Sequence, residues 1–408
     1  MVAQILLIFT AASLLFGTCN SNSHQNMTSE KIDTLVQTTQ LQTGAEQTSL
    51  YFPLLEGKKI GVVSNQTGMI GDIHLIDSLV NAGFDVQLIF APEHGFRGQA
   101  EAGKKVSSDH DPITGIKVVS LYGSNFKPQQ KDLTGLDIII FDIQDVGARF
   151  YTFISTMHYV MEACAEAKIP LMILDRPNPN GFYVDGPVLQ AEFKSFIGMH
   201  PIPIIHGMTV GELAQMINGE GWLTGKMKCD LTIIPVAGYT HKTIYELPVA
   251  PSPNLQSPQS VWLYPSLCLF EGTVISIGRG TDHPFEIFGH PLWPDKSFTF
   301  MPESRPGYSA TPPCMGKTCY GMNLHDYADS LKQNPKLELK WLLDSYQFLN
   351  DKTEFFSSNM FDKLTGASQM RQQIIAGKSE EEIRQSWKPQ LDEFKKNRKK
   401  YLLYDDFE

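Results

Sequence analysis

The segment Val86-Gln-Leu-Ile-Phe90 is followed directly by Ala91-Pro-Glu93-His94-Gly-Phe-Arg97-Gly98. The apolar run predicts a short buried strand, which Ala91-Pro92 ends. An acid, an imidazole and a guanidinium then follow closely, between glycines that permit a tight turn. Ligands of open α/β sheets bind beyond the carboxyl ends of the strands, so this loop is a candidate site. An ordinary polar loop is the alternative interpretation.

Strand-like and helix-like segments alternate around this loop. Helices are predicted over 74–82 and 152–167, and further strands over 60–64, 118–119, 137–141, 170–174 and 230–235. Alternation of this kind predicts parallel βαβ units in a doubly wound, mainly parallel α/β sheet.

Three of the predicted strands end in loops that combine acids with arginine. These loops contain Glu93 and Arg97; Asp142, Asp145 and Arg149; and Asp175 and Arg176. Parallel neighbours bring their carboxyl ends to one edge of the sheet, so we expect one polar cleft.

Composition and motifs exclude several classes of protein. The 408 residues, 42% hydrophobic and 19% charged, suit a globular protein of two domains. A net charge of −10 is the wrong sign for a nucleic-acid partner. No G-x-G-x-x-G follows the first strand and no P-loop is present, which argues against a nucleotide cofactor.

The second half of the chain is richer in Pro and Gly. Thr209 is predicted to cap a helix, with Glu212 completing a capping box. Residues 251–258 and Tyr264-Pro265 are predicted to be extended. Residues 360–404 are predicted to be helical.

The N-terminus predicts export. Residues 5–17 form an apolar stretch of signal-peptide length, which leads to Cys19. This pattern resembles a bacterial lipoprotein signal over 1–19 with Cys19 as the lipidated residue. Residues 20–48, rich in Ser, Asn, Gln and Thr, are predicted to be a flexible tether.

Several motifs together resemble one known family. Pro92-Glu-His-Gly-Phe-Arg-Gly98, Asp142-Ile-Gln-Asp-Val-Gly-Ala-Arg149-Phe-Tyr151, Asp175-Arg-Pro-Asn178-Pro, Pro251-Ser-Pro-Asn254, Gly278-Arg-Gly-Thr281 and Lys399-Lys-Tyr-Leu-Leu-Tyr404 are similar to motifs of the NamZ-type exo-β-N-acetylmuramidases. The similarity extends from about Lys58 to Tyr404.

The resemblance implies a Rossmann-like catalytic domain, placed here at 49–258, and a smaller C-terminal α+β domain at 259–408 that completes the cleft. It also implies an exo-acting glycosidase that releases terminal, non-reducing N-acetylmuramic acid from peptidoglycan fragments. Neither a cofactor nor a metal ion is expected. The protein is expected to bind these fragments and to attach to a membrane through the lipid anchor.

Glycoside cleavage commonly needs a carboxylic acid and a second carboxylate. Glu93 is the expected acid, because its apolar neighbours favour a protonated carboxyl group. Asp142 and Asp145 are candidates for the second carboxylate, with Asp175 behind them. His94 would orient Glu93 or serve as its acid–base partner, and a structural histidine is the alternative.

A pocket specific for N-acetylmuramic acid should contain a guanidinium that pairs with the lactyl carboxylate of this sugar. Arg97, Arg149, Arg176 and Arg279 are unranked candidates, although Arg176 is expected rather to brace the acids. The remaining candidates for sugar binding are Tyr151, Asn178, Asn180, His206, Asn254, Thr281 and Glu286. Asn-Pro pairs also serve turns without any ligand.

Two rival functions remain. One is a metal-dependent hydrolase that uses Glu93, His94, Asp142 and Asp145. The other is a non-catalytic lipoprotein that binds sugars or muropeptides.

Overall fold

The computed structural model describes residues 40–97, 109–123 and 125–408. A seven-stranded sheet lies at the centre of this described part. Numbered in chain order, its strands run across the sheet as β11 (Leu231–Ile234), β8 (Leu171–Leu174), β7 (Ile138–Asp142), β1 (Lys59–Ser64), β4 (Asp85–Ala91), β6 (Lys117–Ser120) and β5 (Asp109–His110). The first six are parallel, and β5 pairs with β6 in the antiparallel sense. The predicted doubly wound, mainly parallel sheet is confirmed.

Both faces of the sheet are buried, as the uninterrupted apolar run of β7 predicted. Side chains alternate between the faces along a strand. Accordingly, Ile139 and Phe141 belong to one hydrophobic core and Ile138 and Ile140 to another.

The strand order reverses at β1. The chain places β4 on one side of β1 and later places β7 on its other side. A crevice opens beyond the carboxyl ends of the strands at such a reversal. The loop that carries Glu93 leaves β4 at this point.

Helices and short strands surround the sheet in the first half of the chain. They are α1 (Thr48–Leu55), α2 (Leu75–Asn81), α3 (Gln130–Leu133), α4 (Phe153–Ala167) and α5 (Val210–Glu220), with the antiparallel pairs β2 (Met69–Ile70) with β3 (Ile73–His74) and β9 (Asp185–Val188) with β10 (Pro203–Ile205). The capping box of Thr209 and Glu212 at the start of α5 is confirmed. None of the described helices is both long and apolar enough to cross a membrane.

The second half combines a small antiparallel sheet with helices. Its elements are α6 (Pro258–Leu267), β12 (Ile287–His290), β13 (Thr299–Phe300), β14 (Cys319–Asn323), α7 (His325–Gln333), α8 (Lys340–Leu349), α9 (Ser358–Thr365), α10 (Gln369–Ile375) and α11 (Glu380–Arg398). One hydrophobic core contains residues of both halves, from Val63 to Phe394. The domain boundary at residue 258 stays a prediction.

One secondary-structure prediction was wrong here. Tyr264 and Pro265 lie inside helix α6, not in an extended segment. Pro265 has no N–H for the carbonyl of Val261, and the side chain of Asn180 donates to that oxygen instead, at 3.1 Å. The helical region predicted over 360–404 consists of three helices, because Gly366 and Gly377 adopt left-handed backbone conformations between them.

The predicted tether ends earlier than residue 48. Gln42 exchanges two backbone hydrogen bonds with Ala237, and the N–H of Gly44 donates to the carbonyl of Asp175. A Cβ at Gly44 would lie 2.4 Å from the carbonyl oxygen of Ile234, so a side chain does not fit there. Residues 42–47 are therefore packed against the sheet. Cys19 and the signal segment lie outside the described residues.

Candidate active site

A cavity of about 150 Å³ opens beside the loop that follows β4. We call it the Glu93 cavity. Residues from both halves of the chain line it: Glu93, His94, Phe150, Tyr151, Thr152, Phe153, Ile197, Ser252, Asn254, Leu255, Tyr264, Glu271, Arg279 and Phe285. Five of the sequence-predicted site residues meet here, namely Glu93, His94, Tyr151, Asn254 and Arg279.

Two hydroxyl groups hold the carboxylate of Glu93. The hydroxyl of Thr152, just before helix α4, donates to Oε2 of Glu93 at 2.8 Å. The second hydroxyl belongs to Tyr122, whose pKa is raised by burial and by the adjacent Glu93 carboxylate, with which it forms a hydrogen bond. The carboxyl group therefore has a defined orientation on the cavity wall.

The backbone of this loop is sharply turned. His94 and Gly95 both have positive φ angles, 70° and 78°, and the N–H of Gly95 donates to the carbonyl of Pro92. Positive φ is unfavourable for a residue with a side chain. The turn places the side chains of Glu93 and His94 on the wall of the same cavity.

The cavity contains a second carboxylate that the sequence analysis missed. Glu271 lies on the 3₁₀ turn Cys268–Gly272 that follows α6. Its Oε1 accepts hydrogen bonds from Nε and Nη2 of Arg279, at 2.8 and 2.6 Å. Although burial opposes it, the Glu271 carboxylate raises the pKa of Arg279. Arg279 thus carries its charge at the cavity wall, 5.0 Å above the ring of Phe285.

Asp145 lies behind the cavity wall and not on it. Its Oδ2 accepts the N–H of Gly147 at 2.7 Å, while Oδ1 has no hydrogen-bond partner among the described residues. Burial raises the pKa of Asp145 to about 7. Burial and then the Asp145 carboxylate raise the pKa of Tyr151, whose hydroxyl donates to the carbonyl of Pro251 at 2.9 Å. Asp145 therefore lies close to Tyr151, a residue of the cavity wall, but does not itself line the cavity.

Asp142 does not reach the cavity, contrary to the expectation that it supplies the second carboxylate. Its two oxygens accept from Nε and Nη2 of Arg176, at 2.6 and 3.0 Å, and the whole pair is buried. Nη2 of Arg176 also donates to the carbonyl of Met69. The expectation that Arg176 braces the acids is confirmed, and neither residue is available to a sugar.

Asp175 is likewise an internal anchor. Its carboxylate accepts from the hydroxyls of Thr209 and Tyr404, at 2.7 and 2.6 Å, and from the N–H of Gly211 at 2.8 Å. Burial raises the pKa of Asp175 to about 6. The carboxylate thus joins the start of α5 to the C-terminal tail.

The other two arginines that follow strands bind protein groups. Arg97 donates from Nε and Nη2 to Asp111, at 3.1 and 3.0 Å. Arg149 is fully buried and donates to the carbonyls of Pro187, Ile202 and Leu364. Burial lowers its pKa to about 9. Of the four arginine candidates, Arg279 alone lies on the described wall of the Glu93 cavity.

Asn178, Asn180 and His206 are buried inside the fold and do not line the cavity. Asn178 donates to the carbonyl of Met208, and Asn180 to those of Val146 and Val261. Burial lowers the pKa of His206 to about 3, so this imidazole is neutral. These residues hold the wall rather than contact a ligand.

Of the three remaining candidates, one lines the Glu93 cavity. Asn254 lines the cavity and donates to the carbonyl of Tyr308 at 2.9 Å. The hydroxyl of Thr281 donates to the carbonyl of Gly278 at 2.6 Å, and Thr281 lines an adjoining cavity. Glu286 is buried, forms hydrogen bonds with Ser257 and His325, and does not line the Glu93 cavity.

Comparison with known proteins identifies the family. Models of the N-terminal and C-terminal parts of the exo-β-N-acetylmuramidase NamZ match residues 60–259 and 262–404. The peptidoglycan β-N-acetylmuramidase NamZ of Bacillus subtilis (strain 168) is 38% identical, over 98% of this chain and 100% of that protein. The chain belongs to the NamZ exo-β-N-acetylmuramidase family.

Solved structures agree with this membership in the NamZ family. A DUF1343 family protein from Bacteroides fragilis NCTC 9343 has a TM-score of 0.83 and 47% identity, over 90% of this chain and 99% of that one. A second DUF1343 family protein from the same strain has a TM-score of 0.76 and 29% identity, with the same coverage.

Within this NamZ-family fold, the residues proposed for a metal-dependent hydrolase do not converge. Glu93 and His94 line the cavity, but Asp142 is paired with Arg176 and Asp145 lies behind Tyr151. The described residues contain no group of three or more His, Cys, Asp or Glu side chains that could hold a metal ion.

Proposed function

We propose that this protein is an exo-acting glycoside hydrolase that releases terminal, non-reducing β-1,4-linked N-acetylmuramic acid from peptidoglycan fragments, in cell-wall turnover or recycling. The observation that carries the proposal is the Glu93 cavity, where two carboxylates and a charged guanidinium line the same space. The B. subtilis relative, named as a peptidoglycan β-N-acetylmuramidase, supports the same substrate.

Glu93 is the general acid of this proposal. It lies on the cavity wall, and the hydroxyl of Thr152 donates to Oε2. The hydroxyls of Thr152 and Tyr122 hold the carboxyl group on the cavity wall, where in this proposal it transfers a proton to the glycosidic oxygen. General acid catalysis of this kind contributes about 10²–10⁴-fold to the rate.

Glu271 is the second carboxylate. Glu93 and Glu271 are the two carboxylates on the described wall of the cavity, whereas Asp142, Asp145 and Asp175 lie outside it. Its ion pair with Arg279 orients the carboxylate on the cavity wall. In that position it serves as nucleophile or as base toward water, the two roles open to the second carboxylate of a glycosidase.

Arg279 recognises the lactyl carboxylate. Its pair with Glu271 uses Nε and Nη2, which leaves Nη1 for a second acceptor. A guanidinium binds a carboxylate through directed, charge-assisted hydrogen bonds. N-acetylglucosamine lacks the lactyl group, so Arg279 distinguishes the two sugars.

Purified protein and a chromogenic N-acetylmuramide test the proposed function. We expect release of free N-acetylmuramic acid, and much slower cleavage of the corresponding N-acetylglucosaminide. Binding of the muramide without release would instead support the non-catalytic lipoprotein. Loss of activity on chelation, restored by a divalent ion, would support the metal-dependent hydrolase.

Export and lipid anchoring are a second part of the proposal. The apolar stretch at residues 5–17 and the following Cys19 support an exported lipoprotein that faces the periplasm. Wild-type protein is expected in the membrane fraction and Cys19→Ala in the soluble fraction, both measured in the native host. Equal partition of the two proteins would contradict the anchor.

A further inference from the structure

Two larger cavities adjoin the Glu93 cavity and share wall residues with it. One, of about 400 Å³, shares Asn254, and the other, of about 590 Å³, shares Ser252. The two larger cavities have Gln256 and Tyr308 in common. Because the two larger cavities adjoin at these residues, we name them together the outer groove.

The Glu93 cavity is too small for an entire saccharide. Its volume of about 150 Å³ lies below the roughly 300–1,000 Å³ of pockets that enclose a drug-sized ligand. A substrate whose terminal sugar occupies this cavity must continue outside it. The outer groove begins at the residues that the cavity and groove share.

The walls of the outer groove suit an uncharged, hydroxyl-rich ligand. The amides of Asn254 and Gln256 line the groove among prolines, and each uses one N–H on a backbone carbonyl. The amide nitrogen of Gln66 already donates to two backbone carbonyls. The charged groups Arg305 and Asp282 lie 2.6 Å apart and neutralise each other. A polyanion would find no unpaired cation here among the described lining residues. Sugar hydroxyl and acetamido groups can instead pair with the second N–H and the carbonyl oxygen of Asn254 and Gln256.

Tyr308 is presented to this groove by a closed turn. Arg305 and Ser309 exchange two backbone hydrogen bonds of 2.8 Å, and Gly307 has a positive φ of 87° between them. The carbonyl of Tyr308 accepts from Asn254, which lines both the Glu93 cavity and the groove. The Tyr308 side chain is nevertheless 43% exposed. An exposed aromatic ring on a closed turn is suited to packing against the apolar face of a pyranose.

We propose that the outer groove binds the sugar residues on the reducing side of the scissile bond, with Tyr308 stacked on an uncharged pyranose of the N-acetylglucosamine type. This inference rests on the proposed function, since it assigns the terminal N-acetylmuramic acid to the Glu93 cavity. The enzyme would then distinguish its substrates by the sugars that follow the terminal N-acetylmuramic acid, as well as by that terminal sugar.

The test compares kcat/KM for a chromogenic N-acetylmuramide, which has no second sugar, with that for a tetrasaccharide ending in N-acetylmuramic acid. In Tyr308→Ala the ratio of tetrasaccharide to chromogenic kcat/KM is expected to fall about tenfold from the wild-type ratio, which corresponds to about 1.4 kcal/mol. Tyr308→Phe keeps the ring and is expected to keep the wild-type ratio. An unchanged ratio in Tyr308→Ala would overturn the groove assignment.

The two proposals fail in different ways. If the wild-type protein cleaves neither substrate, the proposed function fails. The groove assignment is then tested by calorimetry, which compares the affinity of wild type and of Tyr308→Ala for the tetrasaccharide. Weaker binding by the variant would support the groove, and equal affinities would overturn it.

Discussion

Nε and Nη2 of Arg279 lie 2.8 and 2.6 Å from the same oxygen of Glu271, on the wall of a cavity that also contains Glu93. The pair joins a 3₁₀ turn after α6 to the glycine-rich turn before β12. It therefore fixes the direction of the guanidinium before any ligand binds.

Arg279→Ala is expected to remove discrimination between muramic and glucosamine substrates. Hydrogen bonds to charged groups contribute about 1.5–3 kcal/mol, so the ratio of kcat/KM values should fall roughly 10- to 100-fold. Arg97→Ala is the matched control, because Arg97 pairs with Asp111 outside the cavity. Retained discrimination in Arg279→Ala would refute the assignment.

Glu93→Gln is expected to lower kcat by about 10²–10⁴-fold, because an amide has no acidic proton to give. The melting temperature should stay close to that of wild type, since Gln still accepts from Thr152. Glu192→Gln changes an exposed acid and serves as control. Substantial activity remaining in Glu93→Gln would assign the acid to another residue.

Asp142→Asn is expected to destabilise the fold. Removing one partner of a buried ion pair leaves the charge of Arg176 uncompensated, at a cost of about 3–5 kcal/mol in the free energy of unfolding. Urea denaturation measures this loss. Lys340→Ala, which breaks the exposed pair with Asp344, should cost at most about 1 kcal/mol. A stable but inactive Asp142→Asn would instead place Asp142 in the chemistry.

Asp145→Asn is expected to change how stability depends on pH. Burial raises the pKa of Asp145 from 3.8 to about 7, so the folded state holds a proton that the unfolded state has lost between these values. Stability from this group therefore falls as pH rises from about 4 to 7, by on the order of 4 kcal/mol at most.

Other buried groups titrate in the same range, and the neutral His206, with its pKa of about 3, contributes the opposite slope. The measured quantity is accordingly the difference in unfolding free energy between Asp145→Asn and wild type at several pH values. This difference should shift in favour of the variant from pH 5 to pH 8. A constant difference would show that Asp145 does not titrate in this range.

Much of the architecture was predictable because it depends on short-range patterns. The apolar run Ile138–Phe141 predicts a strand buried on both faces, and Thr209 with Glu212 predicts the start of a helix from the local hydrogen bonds of a capping box. The prediction failed at Pro265, since a distant amide, that of Asn180, replaces the hydrogen bond that proline cannot make.

The candidate site was predictable only in part. Glu93, His94, Tyr151, Asn254 and Arg279 were selected from their loops and motifs, and they meet in the cavity. Glu271 was missed because it follows an apolar run that is typical of a buried segment of the hydrophobic core. The signal that was available is the acid-plus-arginine pattern of Glu271 and Arg279, which here follows a helix rather than a strand.

The sequence by itself determined the alternation of strands and helices, the family motifs and the acid on the loop after β4, since these depend on periodicity, turns and residue identity. Only the tertiary structure decided which polar residues face the cavity and which are internal anchors. Asp142 and Glu271 are both acids paired with arginine, and no local pattern separates them. Burial does: the pair of Asp142 with Arg176 is enclosed by the sheet and its loops, whereas the pair of Glu271 with Arg279 remains at a wall that a sugar can reach.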